Sequence, residues 1–202
     1  MEPSLETLPV WMGLAWGVLH TADHALTLAA ARRRREGDLP ARLDFGGSLE
    51  LNPRFRAAVE AGRLLSRPFV LTLVAGALVL MAFCSALALA GRLPGAPWWW
   101  KGTLLDLGRV LLGAVVLGRL ALVAGHLQNL ALLRRMLTVP AAAGVRATYD
   151  RGTVFLVSRG RFFEAAGLLA VAGVATGSAF VWGGVAAALS LAAATYRWAR
   201  RA

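Results

Sequence analysis

Apolar positions along this chain gather into long blocks, and polar positions fall between the blocks instead of alternating with them. Runs at 8–31, 69–90 and 103–133 are each long enough for a membrane helix, which needs roughly 17–25 mostly apolar residues. A last apolar block divides near Gly177 to Phe180 into 154–176 and 180–198. The pattern predicts a single membrane domain over 1–202: an all-α, polytopic bundle of five transmembrane helices. The loop at 32–67 is polar, but "NPRFRAAVEAGRLL" within it is amphipathic. Asn52 can cap a helix there with Pro53 in its first position, where a missing N–H costs nothing. Phe55, Val59, Leu64 and Leu65 are expected to share one side, with Arg54, Arg56, Glu60 and Arg63 elsewhere. This is the pattern of a short interfacial helix.

Charge orients the bundle. Nine arginines lie between Arg32 and Arg67 and six between Arg134 and Arg161. The link from Arg92 to Gly102 holds only Arg92 and Lys101, and the last turn holds no basic residue. Arg197, Arg200 and Arg201 follow the final run. Basic residues collect on the cytoplasmic side, so the N-terminus is expected outside, the C-terminus in the cytoplasm, and the protein in the cytoplasmic membrane. "PGAPWWWK" on the poor side reads as an aromatic anchor at the outer interface, with substrate stacking by Trp98, Trp99 and Trp100 as the alternative. The N-terminal "MEPSLETLP" lacks the basic region of a signal peptide, so the first run is expected to remain as a helix. Composition agrees: 57% of residues are hydrophobic, against about 45–50% in soluble domains. The formal net charge of +11 comes from arginines that flank apolar runs. It points to anionic lipid, not nucleic acid. Cys84 is the single cysteine, which excludes an internal disulfide. Ala166, Ala170, Gly173 and Gly177 suggest close helix packing inside the last hairpin.

Candidate chemistry sits inside the apolar runs. His20, Asp23, His24 and Thr27 share one side of the first helix, with Gly13 and Trp16 continuing it. An ionisable group facing lipid costs at least about 2.5–3.5 kcal/mol, so that side must meet protein or water. The third run offers Arg119 and His126, seven residues apart and so on one face, while Arg109 has Asp106 nearby. His24 lies eight residues before Arg32, and His126 eight before Arg134. Each histidine is thus about 12 Å inside its basic marker, and all three can converge with Asp23 and Arg119.

Such a cluster supports three readings. One is structural, with Asp23 paired to Arg119 or a histidine to fix helix register. Another is a polar cavity for an ion, a proton or a small polar substrate. The third is a metal or haem centre: His20, Asp23, His24 and His126 around Zn or Fe, or His24 and His126 as axial ligands of a b-type haem. Nucleophilic catalysis finds no motif, since Ser85, Ser158, Ser178 and Ser190 have no adjacent base. Gly46–Gly47 and Gly183–Gly184 read as turns or close packing, not a phosphate loop. The leading expectation is a non-catalytic membrane subunit or transport-related component without a cofactor, with other membrane proteins as partners. A haem- or metal-binding redox protein is the alternative, and an intramembrane enzyme comes third.

Asp23-x-x-x-Thr27 at the end of the first helix, then Gly46–Gly47, then Glu50-Leu51-Asn52-Pro53 form a pattern of their own. In it the chain resembles a family of small archaeal and bacterial membrane proteins sharing D-x-x-x-T and E-x-N-P motifs. The likeness covers residues 17–70, interrupted by "RRRREGDLPARLD". It implies a helical membrane protein, no known activity, and Asp23, Thr27, Glu50 and Asn52 as residues of interest. Glu50 and Asn52 would then cover the cytoplasmic mouth above His24; otherwise Glu50 is solvated or pairs with Arg54 or Arg56.

Overall fold

A computed structural model describes residues 4–45, 53–138, 147–149 and 151–199. The long helices start and stop where the polar residues require. Helix α1 (Leu8–Arg33) has a proline in its first turn and ends on Arg32 and Arg33, whose charges suit the negative end of the helix dipole. A single turn, α2 (Leu39–Arg42), and the eight-residue α3 (Pro53–Glu60) follow. Helix α4 (Arg67–Ala90) is capped by Ser66, whose side chain accepts from the Phe69 N–H at 3.3 Å. Replacing Ser66 with Ala should therefore cost about 1 kcal/mol, read as a lowered unfolding midpoint in detergent. The 39-residue α5 (Trp100–Thr138), α6 (Arg151–Thr176) and α7 (Ala179–Ala199) complete the chain. Gly177, at φ +62°, makes the turn between the last two.

Three of these helices are long and apolar enough to cross a membrane: α4, α5 and, in α7, Ala179–Arg197. Helices α1 and α6 are as long as α4 but carry more charge: Asp23 beside two histidines in α1, and Arg159, Arg161 and Glu164 in α6. The fold is thus all-α and compatible with a membrane bundle. It has one exception to the expected pattern. Among the described residues, β1 (Leu43–Phe45) pairs in parallel with β2 (Ala147–Tyr149), in register Leu43↔Ala147 to Phe45↔Tyr149. Neither segment showed strand alternation long enough to be read. The pairing arises because both follow helices that end at the same end of the bundle. Close by, Leu39 packs with Ala30 and Leu133, and the Arg42 Nη1 donates to the Met136 carbonyl at 3.0 Å.

The helices pack in the order α4–α1–α5–α7–α6, each chiefly against its neighbours in that row. Leu8, Met12, Cys84, Leu112 and Val115 form the core where α1, α4 and α5 meet. Side chains such as Leu78 and Val79 on α4, and Leu168, Val171 and Val174 on α6, remain exposed on the outside of the row. Glycines mark the close approaches between helices. Gly173 does lie against the Trp182 ring, 3.1 Å from where its Cβ would be. The backbones come nearer between α5 and α7, where a Cβ on Gly113 would overlap the Phe180 carbonyl and one on Gly183 the Val110 carbonyl. Helix α3 also differs in part. Phe55 and Val59 are buried against Leu28, Ala31 and Phe69, but Leu64 and Leu65 lie beyond its end and are exposed. They do not share the buried side.

Candidate functional site

His20, His24, His126, Asp23 and Arg119 were expected around one point, with Thr27 on the same side of the first helix. The structure divides them into two adjoining groups, because α1 is covered by α5 on one side and by α3 and α4 on the other.

The first group joins α1 to α5. The Arg119 Nη1 donates to Asp23 Oδ2 at 2.8 Å, and the His126 Nε2 lies 3.0 Å from Asp23 Oδ1. The Thr27 hydroxyl donates to the Asp23 carbonyl at 2.9 Å, which leaves its oxygen to accept from His126 Nε2 at 3.2 Å. With a carboxylate and an occupied hydroxyl as its hydrogen-bond partners among the described residues, Nε2 is the nitrogen that carries the ring proton; His126 Nδ1 is the ring's other site. The Asp23, Arg119 and His126 side chains are 16%, 18% and 25% exposed, so bulk water screens the pair little. The Arg119 guanidinium also lies 4.5 Å from the centre of the Trp16 ring, a cation–π contact. The Trp16 N–H in turn donates to the Leu73 carbonyl at 3.0 Å. One polar chain therefore ties α4, α1 and α5 together through Leu73, Trp16, Arg119, Asp23 and His126. The level of His126, between Asp23 and Thr27, follows from α1 and α5 running the same way with basic residues at matching ends.

The second group is an aromatic box. His20 stacks between Trp16, at 5.1 Å, and Phe69, at 5.3 Å. His24 stacks on Phe69 at 4.5 Å, and the Phe55 ring of α3 stands near both histidines. The Phe55 and Phe69 partnership with the histidines was not read from sequence. Phe69 looked like the first residue of an apolar span, and nothing local marks which helix face it will meet.

Glu50 and Asn52 lie outside the described residues, as do Gly46 and Gly47, so the vestibule expected above His24 is not among the features described. Arg109 keeps Asp106 as its neighbour at 3.3 Å, and Asn129 accepts from Arg161 at 3.4 Å across to α6.

Neither group has the donor set of a closed metal centre. Among the described residues no three His, Cys, Asp or Glu side chains come together in a way that could hold a metal ion. Asp23 and His126 are bound to each other beside a guanidinium, which repels a cation, while His20 and His24 gain no third ligand of these types among the described residues. For a haem between His24 and His126, the His126 Nε2 is already engaged and the His24 ring is held against Phe69. The residues present do not fit the group as they stand.

Comparison with protein-family models, curated proteins and solved structures finds no match to this chain.

Proposed function

We propose that the chain is a non-catalytic, transport-related component of the cytoplasmic membrane in which the Asp23–His126 pair exchanges a proton. The observation that carries this reading is the bridged carboxylate: Asp23 is held by Arg119 at 2.8 Å and by His126 at 3.0 Å between two helices. Ionisable groups within apolar membrane segments are rare and are functional candidates by default, and a carboxylate bonded to an imidazole is a pair between which a proton can move. Arg119 holds Asp23 in place, Thr27 holds His126, and Trp16 shields the guanidinium from lipid.

In this proposal α1, α4, α5, α6 and α7 all cross the membrane, with the N-terminus outside and the C-terminus in the cytoplasm. The pairing of β1 with β2 supports it, because it brings both arginine-rich connections to one end of the bundle. Exposed Trp98 and Trp99 at the other end suit an outer interface. Helix α3 would lie on the inner surface, with its arginines meeting anionic headgroups, and exposed apolar faces on α4 and α6 would meet lipid or other membrane proteins. Membership in the D-x-x-x-T and E-x-N-P family is part of the same proposal.

The test is proton movement in liposomes carrying the purified protein and a trapped pH-sensitive dye. Wild-type protein should speed the pH change after an imposed gradient. Asp23→Asn and His126→Gln, each checked as monodisperse, should fall to the rate of empty liposomes. Wild-type flux retained in both variants would reject the proton pair.

A further inference from the structure

The aromatic box poses a separate problem. His20 is 4% and His24 5% exposed, and His20 Nδ1, His20 Nε2 and His24 Nε2 make no hydrogen bond among the described residues. A buried polar atom left unsatisfied costs about 1–3 kcal/mol. One nitrogen from each of two rings one helical turn apart can be met by a shared ligand, which leaves the second His20 nitrogen as it is.

The surroundings narrow its chemistry. Both imidazoles lie nearly parallel to the Phe69 ring, at 12° and 16°, so a ligand must come to the ring edges, where the nitrogens are. Those nitrogens have almost no accessible surface, which excludes an organic molecule. Imidazole nitrogens at i and i+4 project from the same side of a helix and are good donors to copper, zinc, iron and nickel. Zinc in a structural site takes four ligands, but no third His, Cys, Asp or Glu joins these two among the described residues. Asp23, on the same helix, is committed to Arg119 and His126, and no other carboxylate joins the two histidines among the described residues, which disfavours a divalent charge. A monovalent d10 ion accepts two neutral nitrogen donors and needs no carboxylate.

We propose that His20 and His24 form a two-coordinate site for a monovalent d10 cation, copper(I) by class, walled by Trp16, Phe55 and Phe69. The site is independent of proton exchange at Asp23, and either can fail without the other.

The experiment uses the full chain in detergent, freed of metal, titrated with silver(I) as an air-stable probe. Copper(I) is then supplied anaerobically from a coloured chelator. One ion per chain is expected for wild type and for Cys84→Ser. His20→Phe and His24→Phe, which keep a ring in the stack, should each lose binding. Nitrogen-15 NMR of histidine-labelled wild type gives a readout that needs no variant: two of the three imidazoles should shift on adding silver. A wild type that binds no ion overturns the site. So does binding that both phenylalanine variants retain, or silver that leaves all imidazole signals unmoved, as a buried water in the box would give.

Discussion

Replacing Arg119 with Met is expected to destabilise the protein by about 3–5 kcal/mol, the usual cost of leaving one member of a buried pair alone. Among the described residues the Asp23 carboxylate would keep only His126, and the Trp16 face would lose its cation. Asp23→Asn should cost a comparable amount, since it strands the guanidinium instead. The double variant Asp23→Asn/Arg119→Met should recover most of the loss, because neither charge is then left over. Denaturation of the four proteins in one detergent gives the coupling energy. Additive losses would mean that the two residues stabilise the bundle separately and that the 2.8 Å contact does little.

Alanine at Gly183 or Gly113 is the second change with a large expected effect. A single Cβ at either position overlaps backbone of the facing helix, the Val110 carbonyl in one case and the Phe180 carbonyl in the other. Backbone cannot swing aside as a flexible side chain can, so α5 and α7 must separate along their contact. Overpacking of this kind costs about 1–3 kcal/mol, sometimes more, and each variant should unfold earlier. Gly160 and Gly167 on α6 are the internal controls, because a Cβ there meets nothing within 4 Å. Alanine at those two should be neutral or stabilise by about 0.5–1 kcal/mol through its better helix propensity. Equal effects at all four glycines would show that helix propensity, not the close approach, governs them.

Helix positions were legible in the sequence because each long apolar run ends in arginine, glycine or proline, and these residues stop or flank helices for local reasons. Asp23, Arg119 and His126 were legible for a related reason: charge inside an apolar run must find a partner, and spacing from Arg32 and Arg134 gives its level. The direction in which each histidine turns was not legible. Residues 20, 23 and 24 span a wide arc of one helix, and only the placing of α3 and α4 decides that His20 and His24 meet Phe55 and Phe69 while Asp23 meets α5. The α5–α7 contact was hidden similarly. Gly173 and Gly183 each suggested close packing, but glycine allows close approach without choosing the partner. The β1–β2 pair joins segments about a hundred residues apart whose three-residue strands carry no periodic signal.

The double variant also separates structure from function at the Asp23 centre. Proton flux through liposomes containing Asp23→Asn/Arg119→Met, a protein expected to fold nearly as well as wild type, is the decisive observation. If the centre exchanges protons, flux should fall to that of empty liposomes although the bundle is intact. Wild-type flux from the folded double variant would contradict that role and leave the polar chain as a brace between α1 and α5.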